Sequence, residues 1–180
     1  MNKFYLTVCF CLSFLLFLSC ERPDLTDDVK WAYDYAARNN SGSGSCKTID
    51  GYTWSPKASS TMNWDDAVSY CNNLTECGYS DWHLPTISEL RTLIKNCSGT
   101  VTGGSCGVTD SCLSSSCQDE SCYSCDYYED GRYSKLGDTS WFWSSSVPSD
   151  TSDYAWGVYF YGGGVHSSFK DYIDCVRCVR

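Results

Sequence analysis

Fourteen cysteines among 180 residues constrain this chain more than any other feature. Such density reads as a disulfide framework, the device of exported domains that fold where thiols oxidise. Cys9 and Cys11 lie in an apolar N-terminal run and Cys20 just after it. Eleven more follow: Cys46, Cys71, Cys77, Cys97, Cys106, Cys112, Cys117, Cys122, Cys125, Cys175 and Cys178. Eleven is odd, so either one thiol is free or intermolecular, or Cys20 makes a twelfth. The Gly-rich stretch Cys97-Ser-Gly-Thr-Val-Thr-Gly-Gly-Ser-Cys106 is a short loop that a Cys97–Cys106 disulfide would close.

The N-terminus supports export. Lys3 is the sole charge before Glu21, and Phe4 to Leu18 is almost continuously apolar. At about 15 residues this run falls short of the roughly 20 that a spanning helix needs, so residues 1–19 are expected to be a signal peptide. Phe17-Leu-Ser-Cys20 resembles a bacterial lipobox, which implies lipidation of Cys20 and anchoring to the outer membrane or cell surface. The alternative is an ordinary signal with Cys20 a bystander or a disulfide partner. Residues 20–45 read as a flexible tether, ending in Arg38-Asn-Asn-Ser-Gly-Ser-Gly-Ser45. Its aromatic part, Trp31, Tyr33 and Tyr35, suits a short helix or a strand equally.

Residues 46–180 have the size of one core-forming domain. A short strand is expected over Gly51 to Ser55. Trp64, Ala67, Val68, Cys71 and Leu74 then form one apolar helical stripe, with Asn63 as cap and a stop near Cys77-Gly78. Thr86-Ile-Ser-Glu89 is a capping box, and Ile87, Leu90, Leu93 and Ile94 form the buried face of a second helix. Between Asn96 and Ser140 regularity is lost, apart from a hairpin signal at Asp130-Gly131. Strands return at Trp141 to Ser144, Ala155 to Tyr161 and Val165 to Phe169, and a last one over Tyr172 to Val179 should close the sheet. This order predicts an α+β domain.

Four blocks stand in a fixed order: Trp64-Asp-Asp-Ala-Val-Ser-Tyr-Cys71, Asp81-Trp-His-Leu-Pro-Thr-Ile-Ser-Glu-Leu90, Trp141-Phe-Trp-Ser-Ser-Ser146 and Cys175-Val-Arg-Cys-Val-Arg180. Together they resemble the Legionella collagen-like protein C-terminal domain family, bacterial relatives of the C-type lectin-like fold, over roughly Tyr52 to Arg180. The resemblance implies two short helices packed on a small antiparallel sheet, with a long disulfide-rich loop region where ligands bind. It implies a Cys71–Cys178 disulfide. Cys175, three residues earlier, would face the other side of a regular strand and need another partner, with Cys77 a candidate if a bulge turns it. His83 stands where the family motif has Arg.

Candidate chemistry is sparse. Cys112, Cys117, Cys122 and Cys125 have spacings found in zinc sites, but in an oxidising compartment close thiols pair with one another. The calcium triplets of sugar-binding C-type lectins are absent: Trp143-Ser-Ser-Ser146 lacks carboxylates, and Asp126 to Gly131 fails the EF-hand pattern. Asp119, Glu120, Asp150 and Asp153 are loop acids. No cofactor is therefore expected, and a structural calcium ion has no motif behind it. His83 and His166 are the sole histidines, expected at a strand end and on an exposed strand. No nucleophile motif accompanies them. Cys117-x4-Cys122 has a spacing similar to the cysteine pair of formylglycine-generating enzymes, without their surrounding motifs.

Binding is the better expectation. A net charge of −9 and a pI near 4.5, with basic residues scattered, argue against nucleic acid and anionic glycans as partners. The sulfated glycosaminoglycans bound by an adhesin of the family are thus poor candidates here. Aromatic content is 16%, with 14 Tyr and 7 Trp. Trp64, Trp82, Trp143 and Trp156 lie on periodic apolar faces and read as core. Tyr127, Tyr128, Tyr133, Tyr159 and Tyr161, with Tyr123, are candidates for contact with a glycan or protein. The expected protein is a lipid-anchored surface binding module without enzymatic activity. An envelope protein with no specific ligand is the alternative, and a cysteine-dependent oxidoreductase the third reading.

Overall fold

The computed structural model describes residues 45–123, 125 and 131–180. It opens on a hairpin in which β1 (Lys47–Ile49) pairs antiparallel with β2 (Tyr52–Trp54). Asp50 and Gly51 form its two-residue turn, with φ of 49° and 87°. Two positive φ angles are what a type I′ turn demands, and Asp-Gly meets that demand readily. The strand expected from Gly51 thus has a partner in the residues just before it.

Helix α1 (Trp64–Asn72) starts at Asn63, whose side chain accepts from the Asp66 amide at 2.9 Å. It stops before Cys77-Gly78 because the Asn73 side chain turns back onto the Ser69 carbonyl (2.8 Å). Cys77 and Gly78, with φ of 52° and 82°, belong to the turn that follows. Helix α2 (Ile87–Arg91) begins on a complete capping box: Thr86 Oγ1 accepts from the Glu89 amide, and the Glu89 carboxylate from the Thr86 amide. Ile87, Leu90, Leu93 and Ile94 are all buried.

The main sheet is antiparallel in the order β3 (Trp141–Trp143), β4 (Tyr154–Tyr159), β5 (Gly164–Phe169). Alternate residues point to opposite faces. Phe142, Val158 and Val165 lie in register and, with Trp156, join the α2 residues and Trp54 in the larger core. Trp143 and Ala155 face the other way, against Ala67 and Cys71 of α1 and against Trp82 and Leu84. Two helices and two small antiparallel sheets make an α+β domain, consistent with a C-type lectin-like fold. Among the described residues no helix is long and apolar enough to cross a membrane.

The C-terminal segment departs from the expected closing strand. It is a seam, bonded in turn to Met62 through Asp174, to Phe142 through Cys175 in parallel, and to Trp54 and His83 through Val179. The reason is visible in Cys175-Val-Arg-Cys-Val-Arg180, whose repeat is three residues, not the two of a strand. Both cysteines and both valines are buried. Arg177 pairs with Asp138 through two 2.9 Å bonds, and Arg180 with Asp81 at 2.7 and 3.1 Å.

Five disulfides join Cys46–Cys77, Cys71–Cys178, Cys97–Cys125, Cys106–Cys122 and Cys112–Cys117. Cys71–Cys178 is the pair that the resemblance implies. The Cys97–Cys106 pairing is corrected. That loop is closed without sulfur, by the Cys106 amide on the Gly99 carbonyl (2.8 Å) and by Arg91. Both sulfurs are left to hold the next stretch, Cys122 to Cys125, against it. Cys175 is bonded as well, to none of these ten; Cys77 is not its partner.

Candidate functional site

The sheet's second face is covered at one end by α1, which meets Trp143 and Ala155. At the other end that face carries Trp141 and Tyr159, which stand directly opposite each other across β3 and β4. Their ring centroids are 6.1 Å apart at 32°. Tyr161 continues the line beyond β4, 5.7 Å from Tyr159 at 29°. In the other direction His166 of β5 lies 5.9 Å from Trp141 at 28°. Tyr123 stacks on His166 at 5.6 Å and 14°. Five rings, Tyr123, His166, Trp141, Tyr159 and Tyr161, therefore form one row in which neighbouring planes differ by 14° to 32°.

Sequence and cystines place each ring. Gly157 lies under Trp141: a Cβ there would be 2.6 Å from both the indole Nε1 and the Phe142 carbonyl oxygen. Glycine lets the indole lie flat across β4. That nitrogen is buried and has no hydrogen-bond partner. Tyr123 follows a 3-10 turn, Glu120–Cys122, capped by Asp119 and held by Cys106–Cys122. Gln118 donates from Nε2 to the Val165 carbonyl (3.0 Å) and to His166 Nδ1 (3.1 Å). An Nδ1 that accepts leaves the ring proton on Nε2. Burial also lowers the His166 pKa, so the ring is kept neutral. His166 is thus half-buried between two rings, where an exposed strand residue was expected.

The other sequence candidates fall elsewhere. Tyr127 and Tyr128 lie outside the described residues, as do Cys20 and residues 1–19. Tyr133 is corrected from surface to core: it is 4% exposed, in the larger cluster. Its loop, irregular in sequence, folds inward over Gly163. Tyr159 and Tyr161 do meet, and Tyr123 joins them through two rings that sequence reasoning missed, Trp141 and His166. The signal for Trp141 was Gly157, two residues before Tyr159 in the adjacent strand.

The loop acids serve locally. Asp150 accepts from the Ser115 amide and hydroxyl and Asp119 from those of Ser121, and these bonds hold both carboxyls below their usual range. Among the described residues no group of three or more His, Cys, Asp or Glu is placed to hold a metal ion. The cation inside the long loop is the chain's own. Buried Arg91 donates to the carbonyls of Thr100 (2.9 Å), Val101 (3.0 Å), Cys106 (3.1 Å) and Val108. Cys117 and Cys122 are bonded to Cys112 and Cys106, not to each other.

Compared with known families, the sequence matches the Lcl C-terminal domain over residues 46–180, three-quarters of the chain. The chain belongs to the Lcl C-terminal domain family. No individually curated protein matches it significantly. In this Lcl C-terminal domain the four ordered blocks build the scaffold. Asp81 holds Arg180, Ser146 Oγ accepts from the first α2 amide at Ile87 (2.9 Å), and Trp143 Nε1 reaches the Met62 carbonyl (3.0 Å). His83 keeps an acidic partner, its Nε2 lying 3.1 Å from Glu89 Oε2. Only Trp141 links a block to the aromatic row of this Lcl C-terminal domain.

Proposed function

We propose that the protein is a non-enzymatic binding module of the bacterial envelope, and that its contact surface is the row from Tyr123 to Tyr161. The single observation that carries this reading is the run of five neighbouring rings that crosses the sheet from the Tyr123 turn to Tyr161. Large rings with polar tips supply contact area at little entropic loss, and here Tyr123 is exposed and the other four rings are half-buried beside it. The ligand is a glycan or a protein. Further support comes from the cysteines: all eleven described ones are bonded, so the described part offers no thiol nucleophile.

The envelope location rests on the lipobox-like Phe17-Leu-Ser-Cys20. Because a lipid thioether and a disulfide exclude each other at one sulfur, intact mass of the mature protein without reductant tests this part. An acyl mass on Cys20 would support the anchor; because the bonded Cys175 pairs with none of the other ten described cysteines, a disulfide at Cys20 is the competing outcome, and that or an unmodified Cys20 removes the anchor. Probing arrays of glycans and extracellular proteins with disulfide-intact protein tests the binding reading. At least one saturable hit, lost on Trp141→Ala, is expected. An empty array would favour a structural envelope protein, the reading that the dense cystines support.

A further inference from the structure

We infer that Cys175 is joined to Cys20, so that a further disulfide ties the segment before the domain to the C-terminal seam and leaves no sulfur at Cys20 for a lipid. Cys175 is disulfide-bonded, and the other ten described cysteines are taken up in five pairs among themselves. The chain has three more cysteines, Cys9, Cys11 and Cys20. Cys9 and Cys11 lie inside the apolar run that export is expected to remove. Cys20 stands just beyond that run, and with it the cysteines of the exported chain become an even set.

The seam sends its two sulfurs into different cores. Cys178 lies with Ala67 and Cys71 in the smaller one, where it holds α1. Cys175 lies in the larger one with Phe142 and Val179, 1% exposed, and its backbone is fixed to the Trp141 carbonyl (3.0 Å) and the Trp143 amide (3.2 Å) of β3. A sulfur so placed does not swing out to a second molecule; its partner has to come to it. Reach is no obstacle. About 25 residues separate Cys20 from Ser45, where the described chain begins, and extended they span about 80 Å, against a radius of gyration of about 14 Å for a domain of this size. Sulfur then fixes both ends of the segment, Cys20 at the seam and Cys46 at Cys77. In forming the bond the Cys20 and Cys175 thiols together give two protons and two electrons to a disulfide-type oxidant, which leaves as a dithiol. Export through the apolar run stands as before, and the aromatic row is untouched.

The test is a non-reducing peptide map of the full mature protein, with thiols blocked in denaturant before digestion. Trypsin cuts after Lys170 and Arg177, so Cys175 leaves on Asp171–Arg177 and is separated from Cys178. That peptide is expected to be joined to the one that begins at Cys20 and ends at Lys30, and to part from it on reduction. Cys20→Ser should abolish the joined species and expose one blocked thiol, at Cys175, where wild type has none. Acylated Cys20 with a blocked thiol at Cys175 would overturn the inference and restore the anchor. A link from Cys175 to Cys9 or Cys11, or a dimer mass from a link between two chains, would also overturn it. Binding to the arrays is measured apart from this map, so failure of the disulfide leaves the contact surface standing, and an empty array leaves the disulfide standing.

Discussion

Trp141 spends part of its packing on an indole N–H that is buried and unpartnered. Such a donor costs about 1–3 kcal/mol, and phenylalanine would remove it while keeping a ring over Gly157. Trp141→Phe is therefore expected to leave the urea-unfolding stability within about 1 kcal/mol of wild type, where truncating a core Trp loses about 3–5. A core-sized loss in the unfolding midpoint would make Trp141 a structural residue. His166 carries a second prediction. Burial holds its folded pKa below the ordinary 6.5, so between the two values the unfolded chain binds a proton that the folded chain refuses. Stability from this residue is full above the unfolded value, falls as pH drops through it, and levels off below the folded value. Denaturant titrations from about pH 7 to about pH 5 should show wild type weakening relative to His166→Asn. Asp81, Asp119 and Asp150, whose pKa values are lowered from 3.8, act at and below that value and leave this window clear.

Elements were the most legible level. Asn63 and Thr86 signalled their helices because capping needs only neighbouring residues, and both caps form. Glu89 also serves His83, so the two parts of the second block share one carboxylate. Thr86→Ala should lower stability by about 1 kcal/mol, read as a shifted midpoint with unchanged denaturant slope. The β1–β2 hairpin was missed although Asp50-Gly51 announces its turn. A closing strand over Tyr172 to Val179 does not form, because the buried residues of the final segment repeat every three positions. Its register is set by four separate partners, and no local propensity encodes them.

At the scale of the molecule the disulfides dominate. Cys71–Cys178 spans a separation of 107 residues and Cys112–Cys117 a separation of 5. In the chain-entropy account these restrict the unfolded chain by about 4.8 and about 2.1 kcal/mol. Cys71→Ala with Cys178→Ala should thus cost about 2–3 kcal/mol more than the matching double substitution of Cys112 and Cys117, measured by chemical unfolding without reductant. Equal losses would mean that the C-terminal seam holds without its staple. The short-loop argument failed for Cys97 because closeness in sequence is not closeness of sulfurs: Arg91 and a backbone bond already close that loop.

Sequence alone settled the α+β class, both helix starts, the core residues Ile87, Leu90, Leu93, Trp143 and Trp156, and the family. Each of these depends on short-range periodicity, caps or ordered motifs. The aromatic row was settled by tertiary structure. Its five rings come from a capped turn, three strands and the residue pair after β4, and they align because strand register and two cystines bring them there. Tyr133 sinks because its loop packs over Gly163 into the core beside α2, while the row lies on the opposite face beyond the end that α1 covers; both outcomes are properties of packing.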